Sequence, residues 1–309
     1  MNIIGHQKIQ NQLDKAVGKD NVFHAYLFVG PESVGKFTLA REFSRKLLEN
    51  DNLELCPDYI LVEPESACLT ARFVETVAKR SGREEEKGKK RIKDISVEKL
   101  RDIQHRLNIS PTGKFKVAII NDADRLTIAA QNSLLKILEE PPAGVIIILV
   151  THDKDKLLTT ILSRCQIKKF GLLSNRELEQ MIADDFSDKE KLIFWANGRP
   201  GLLRKMIDDP QEVEFRNESI KLLQNLIDQP THQKFELAEQ LSKDASMAEK
   251  HMNLWIMYLR QCLLGTKGYQ FISQGRALLL VAKIAGALKI LRETNANARL
   301  VLENLFLSF

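Results

Sequence analysis

The segment Gly30 to Thr38 (GPESVGKFT) carries the spacing of a phosphate-binding loop and departs from it at one position. Four residues separate Gly30 from Gly35 and Lys36 follows at once, as in G-x-x-x-x-G-K-[ST]. In such a loop, glycines let backbone N–H groups curl around phosphate oxygens, and the lysine meets the outer phosphates at a helix N-terminus. The next residue should supply a hydroxyl to Mg²⁺, and it is Phe37, which cannot ligate a metal. Thr38 offers a hydroxyl one place later, about 100° further round a helix. A second stretch, Lys116 to Asp124 (KVAIINDAD), reads as a buried strand delivering polar residues at its carboxyl end. A P-loop ATPase places a metal-supporting Asp there. Here that residue is Asn121, whose neutral amide holds a hard cation far less well than a carboxylate. Asp122 follows, and strand alternation would turn it the other way. Both polar residues also suit a plain strand cap. Two metal positions weakened in separate elements predict an anion-holding loop without metal-assisted hydrolysis.

The elements that must position these residues alternate. Ile9, Leu13 and Val17 are four apart and predict a helix over 7–18. The apolar run Ala25 to Gly30 predicts a buried strand feeding the loop, and Lys36 to Glu49 the helix that follows, in the order a P-loop needs. Asp58 to Val62 predicts a second strand. Arg80 to Asp94 is a run of mixed charge that reads as a solvated loop or a grip on DNA phosphates. Ser96 is the expected N-cap of a helix carrying Val97, Leu100, Ile103 and Leu107. Thr127 to Glu140 predicts a helix halted by Pro141 and Pro142. Val145 to Val150 is apolar throughout, the mark of a strand covered on both faces. Leu157 to Leu162 reads as a helical turn and Ile167 to Phe170 as one more strand. The alternation predicts a doubly wound α/β domain.

After Gly171 the pattern becomes helical. Ser174 to Ile182, Asp188 to Ala196 and Leu202 to Ile207 are expected helices, with Gly198 to Gly201 (GRPG) as a turn. Helices are also expected over Glu214 to Asp228, Lys234 to Lys243, Met247 to Leu264, and from Gly275 to the end.

With 309 residues, two or three domains are expected. A net charge of +5 is mild, fitting either an ordinary solvated surface or acidic partners. No signal-peptide run or bilayer-length apolar stretch is found, so a cytoplasmic protein is expected. Cys56, Cys68, Cys165 and Cys262 form no C-x-x-C pair and read as buried free thiols.

HAYLFVGPESVGK, KVAIINDADRL, NSLLKILEEPP and ILSRC together resemble the bacterial clamp-loader branch of the AAA+ ATPases, found in DNA polymerase III holoenzyme. The motifs span roughly Ile4 to Phe170, and the decayed loop is similar to that of the branch's delta-prime subfamily. The resemblance implies an α/β P-loop AAA+ domain over 1–170, a parallel sheet with helices on both faces. It further implies a helical lid over 171–210 and an all-α collar over 211–309. It implies a role in DNA replication, in an open ring with gamma/tau-like motor and delta-like subunits that loads a sliding clamp onto primed DNA, with no membrane contact. The arginine matching the family's SRC motif is Arg164, which would reach across to a neighbour's ATP, with Ser163 and Cys165 shaping its presentation. A structural salt bridge is the alternative use. Arg204 matches a possible second sensor, or is a helix-surface arginine, and Thr151 matches the place of a first sensor. Many relatives carry a cysteine-rich zinc module, but here Cys56 alone precedes Pro57 and Asp58, so no zinc is expected. No cofactor is required, while residual ATP or ADP binding on Gly30, Gly35, Lys36 and Thr38 is compatible with the loop. The expected function is a non-hydrolysing subunit that donates Arg164. The alternatives are a hydrolysing motor resembling gamma/tau, compensated by Thr38 and Asp122, and a DNA-binding module using basic surface.

Overall fold

The computed structural model describes residues 3–19, 21–64, 94–183, 186, 188–265, 271–294 and 296–309. The charged run Arg80 to Asp94 lies outside them save for Asp94, as does Cys68. The chain divides into two compact units, Met1–Arg204 and Lys205–Phe309.

In the first unit the elements are α1 (Gln7–Gly18), β1 (Ala25–Val29), α2 (Lys36–Leu48), β2 (Tyr59–Val62), α3 (Val97–Leu107) and β3 (Lys116–Ile120). There follow α4 (Ile128–Glu139), β4 (Val145–Thr151), α5 (Thr159–Leu162), β5 (Gln166–Lys169), α6 (Asn175–Glu179) and α7 (Lys189–Ala196), and the chain then enters α8 (Pro200–Asp208), within which the first unit ends at Arg204. The strands form one sheet in the order β2-β3-β4-β1-β5, and every pairing is parallel. β4 is thus inserted between β1 and β3, with Leu27 of β1 opposite Leu149 of β4 on one side and Ile167 of β5 on the other.

Side chains alternate across the pleat, and each face finds its own cover. Leu27, Ala118, Ile120, Ile147 and Leu149 pack with Leu100 and Ile103 of α3 and Leu134 and Leu138 of α4. Tyr26, Phe28, Val117, Ile119, Ile146 and Ile148 pack on the other face with Leu13 of α1 and Leu39 and Phe43 of α2. The doubly wound sheet expected from the apolar strands is therefore present.

Asp58, just before β2, ties the two strands at that edge together. Its Oδ2 accepts from the backbone N–H of Thr112 (2.9 Å) and of Gly113 (3.2 Å) and from the Thr112 hydroxyl, and its Oδ1 lies 3.7 Å from Lys116 Nζ. Burial by itself would raise the Asp58 carboxyl, but these donors and the Lys116 ammonium hold it below its ordinary value.

Several helix ends differ from the sequence reading. Ser96 stands at the N-cap of α3 with extended backbone, yet its side chain makes no capping bond to the helix. Thr127 does cap α4, accepting from Ala130 N–H. Ser174 and Glu177 form a reciprocal capping box on α6. The GRPG segment is not wholly a turn, because α8 begins at Pro200, where a missing N–H costs nothing.

The second unit is helical: α9 (Pro210–Asp228), α10 (Thr231–Ser242), α11 (Ala245–Leu263), α12 (Gln274–Glu293) and α13 (Ala298–Phe306). Pro210 opens α9, with the Asp209 side chain accepting from Gln211 N–H. The expected final helix is broken into α12 and α13, and the Asn297 side chain caps the second by accepting from Arg299 N–H. Trp255 is wholly buried, donates to Ser219 O at 2.8 Å, and has Phe306 and Phe309 against its ring. His251 lies beside it, 2.8 Å from the Ser219 hydroxyl, with its imidazole pushed below its ordinary value by burial.

Removing the Asp58 carboxylate takes the counter-charge from the buried Lys116 ammonium, which keeps only the Arg106 and Ile109 carbonyls, and leaves the Thr112 and Gly113 donors without their acceptor. Asp58→Ala should lower stability to urea by about 3 kcal/mol at pH 7, and Asp58→Asn by less because an acceptor remains. Since the folded-state value is depressed, the wild-type advantage should be full above the unfolded value near pH ~3.9 and shrink as pH falls further.

Candidate functional site

All five strands point the same way, so the carboxyl ends of β1, β3 and β4 deliver the loop from Gly30, the Asn121–Asp124 turn and Thr151 to one edge of the sheet. The loop is built by two residues with left-handed backbone, Ser33 (φ 61°) and Gly35 (φ 94°), before α2 starts at Lys36. Glycine meets such a φ without steric cost, and a Cβ at Gly35 would meet open space. Gly30 has a different reason to be glycine: a Cβ there would lie 2.4 Å from the Phe170 carbonyl oxygen. Its N–H is also committed, to Thr151 O at 3.3 Å. Gly30 therefore serves the packing of β1 against the end of β5.

The loop is gripped from outside. His6 Nε2 sits 3.0 Å from Val34 O, and Gly201 N–H donates to Ser33 O at 2.8 Å. Gly201 must stay small, since a Cβ would approach that same Ser33 oxygen to 3.0 Å.

Lys36 is buried and turns its ammonium back onto the loop, donating to Gly30 O (2.6 Å) and Pro31 O (2.5 Å). Burial pulls its pKa down to about 8. The carboxylates of Glu32, Asp122 and Asp124 oppose that fall, and the Arg199 guanidinium adds to it. Phe37 packs its ring against the core on the α2 face, with Arg41 stacked over it at 5.9 Å. Together with Thr38, Ile4, Met181 and Arg204 it lines an open cavity of about 350 Å³ beside the loop. Thr38 and Arg204 thus share one cavity wall.

At the end of β3 the Asn121 amide donates to Glu63 Oε1 at 3.1 Å, beyond the end of β2. Asp122 corrects the alternation argument. Its backbone is left-handed (φ 50°, ψ 50°), so it leaves the strand pleat and brings a carboxylate into the field of Lys36. Burial, then the neighbouring Asp124 charge, raises its pKa.

Asp124, His152, Glu32 and Arg199 were not legible as site residues. Asp124 is buried and accepts from the Thr151 hydroxyl at 2.9 Å, so the expected first-sensor hydroxyl is occupied in bracing β3 to β4. His152 continues the chain of contacts, with Nδ1 3.2 Å from Asp124 and Nε2 3.9 Å from Glu32 in the loop. The only signal was N-D-A-D after an apolar strand, which does not tell which carboxylate turns inward. Arg199 is placed by the turn before Pro200, and its Nε is buried without a hydrogen-bond partner among the described residues.

Arg164 lies away from this loop, between α5 and β5. Cys165 is buried in the α4-side core, and burial pushes its thiol up to about 12, the state of an inert packing group. The Ser163 hydroxyl donates to Thr160 O at 3.0 Å. Arg164 remains partly exposed, donating to Thr160 O at 3.0 Å and pairing with Glu139 at 2.7 Å. The salt bridge considered as the alternative use of this arginine is thus formed.

The residues present do not fit a magnesium ion as a P-loop enzyme holds it. Phe37 has no donor atom, and Asn121 offers only a neutral amide oxygen where a carboxylate would bind a hard cation far better. Among the described residues no three His, Cys, Asp or Glu side chains gather as metal ligands. Among those residues also, no helix is long and apolar enough to cross a membrane.

A parallel sheet with β4 between β1 and β3, and a phosphate loop directly after β1, defines an AAA+-like P-loop fold. Residues 5–174 match the family DNA polymerase III, delta subunit, and the chain belongs to that family. It is 31% identical over 186 residues to DNA polymerase III subunit tau of Bacillus subtilis, a match covering 57% of this chain and 30% of the relative. It is 26% identical over 266 residues to DNA polymerase III subunit delta' of the same organism, covering 83% of this chain and 76% of the relative. The crystal structure of a DNA polymerase III gamma subunit-related protein from Thermotoga maritima shares the fold, with a TM-score of 0.52 and 19% identity over 96% of this chain and 97% of that one. The chain spans about a third to a half of the length of the tau and gamma relatives it matches.

Lys36 should titrate near pH 8 when followed by NMR of labelled lysines. Asp122→Asn removes a carboxylate that favours the ammonium and should move that midpoint lower. Because the folded value lies below the unfolded one, stability should rise with pH between about 8 and the unfolded lysine value near ~10.4.

Proposed function

We propose that this chain is a non-hydrolysing, delta-prime-like subunit of a DNA polymerase III clamp loader, which braces a ring and lends Arg164 to the ATP site of an adjacent motor subunit. The observation that carries this reading is the pair Phe37 and Asn121: both places where a P-loop motor anchors magnesium hold side chains unsuited to it. The self-contacts of Lys36 support it, because an ammonium already satisfied by loop carbonyls gains less from a phosphate. The delta' relative, matched over most of both chains, agrees with the assignment. A guanidinium is planar and always charged, so it stabilises charge developing on a γ-phosphate without needing a competent pocket in its own subunit. The partners under this reading are gamma/tau-like and delta-like subunits, the sliding clamp, and primed DNA reached through the assembled complex. Residues 171–210 would act as lid and 211–309 as collar. Residual ATP or ADP on Gly35, Lys36 and Thr38, with Arg204 on the cavity wall, is compatible with it, as is an absence of zinc.

A second reading, a hydrolysing motor resembling gamma/tau, is favoured by one observation. Asp122 has left the strand alternation and lies in the field of Lys36, where a water-polarising carboxylate would be useful. The tau relative at 31% identity is in keeping with it.

The isolated chain should show no magnesium-dependent ATP turnover, whereas turnover at ordinary motor rates would select the second reading. In the complex reconstituted with its motor subunits, Arg164→Ala should lower the neighbour's ATPase by on the order of 10³-fold with assembly intact.

A further inference from the structure

Glu139 breaks a local rule. It is the last residue of α4, where the exposed carbonyls already make a negative pole and an acidic side chain is unfavourable. The helix ends there because Pro141 and Pro142 follow, and basic residues are what such an end favours. A broken local preference with a specific partner is a common mark of a functional position. The partner is Arg164, at 2.7 Å.

We propose that Glu139 is a positioning residue for the Arg164 finger; the inference rests on the finger reading given above. Arg164 is held at two points of its own subunit. One η nitrogen donates to Thr160 O at 3.0 Å, and the other meets the Glu139 carboxylate. Its backbone is fixed on both sides, by the Ser163 hydroxyl on Thr160 O and by Cys165 in the core. A guanidinium carries five N–H donors in a fixed fork. Two are spent on these contacts, which leaves three to meet a phosphate from outside, with the side chain about one-third exposed. A free arginine loses substantial rotamer freedom when it docks, and prior orientation removes that loss from the transition state. The arrangement is well suited to this: the pair is exposed enough to contribute little to folding, with Glu139 half exposed, and is therefore free to serve orientation.

The test uses the full chain assembled with the motor subunits of its complex, with the neighbour's ATPase measured over a range of ATP. Glu139→Ala should lower kcat about tenfold with KM for ATP and assembly unchanged. Glu139→Gln should keep at least half of the turnover, because its amide oxygen still accepts from the guanidinium. The double variant Glu139→Ala/Arg164→Ala should match Arg164→Ala alone, since the two act as one unit. Turnover of Glu139→Ala at or above wild type would mean that the carboxylate merely parks the arginine, and would overturn the proposal. So would a double variant slower than Arg164→Ala. If Arg164→Ala itself leaves the neighbour's turnover unchanged, the finger reading fails and the positioning role goes with it. If Arg164→Ala is inactive while Glu139→Ala is normal, only the positioning role fails. Thermal unfolding of each variant distinguishes these losses from misfolding.

Discussion

A parallel sheet buried on both faces has nowhere to present polar groups except its edges and strand ends, and most of this site follows from that constraint. β1, β3 and β4 are sealed between two apolar clusters, so the residues that can do chemistry collect where those strands stop. The backbone there must turn sharply, which accounts for left-handed residues at Ser33, Gly35 and Asp122. The polar groups that come together must then satisfy each other. Thr151, Asp124, His152 and Glu32 form one such chain from the end of β4 to the loop, and Lys36 with the Gly30 and Pro31 carbonyls forms another.

The result is a phosphate loop whose shape is kept by its own protein. His6 holds Val34, Gly201 holds Ser33, and Gly30 is pressed against Phe170. In a nucleotide-driven enzyme the phosphates and metal contribute to ordering such a loop; here protein contacts supply that order. This is the physical basis for reading the domain as a scaffold. Gly30 and Lys36 each have packing or hydrogen-bonding duties in this loop that need no ligand.

Arg164 illustrates the opposite arrangement. Its neighbours are anchored, Cys165 in the core and Ser163 on a carbonyl, while its guanidinium stays within reach of solvent. Two η nitrogens are engaged by Thr160 and Glu139 without enclosing the group. The geometry fixes direction more than it stores energy, and it is distinct from the buried Asp58–Lys116 pair, whose loss leaves a buried ammonium without its counter-charge.

Much of the fold was legible from periodicity. The short, branched apolar runs of β1, β3 and β4 match strands buried on both faces, and the i, i+4 stripes of α1 and α3 match amphipathic helices. Those signals are local and dense. The residue types at the two magnesium positions, Phe37 and Asn121, are read directly from the chain, wherever their side chains point. Helix ends were less legible: the GRPG segment reads as a turn, yet Pro200 within it opens a helix, since a proline's missing N–H suits a turn and a first helical position alike. What tertiary structure alone decided were directions and long-range partners. Strand alternation placed Asp122 away from the loop, but one left-handed residue brought it back. Asp124 and Glu139 are ordinary acids in the chain; contacts to Thr151 and Arg164, 27 residues distant in the first case, give them their places. Residue types determine what chemistry is possible, and the meeting of remote segments determines which atoms perform it, because side-chain orientation depends on packing that no local pattern encodes.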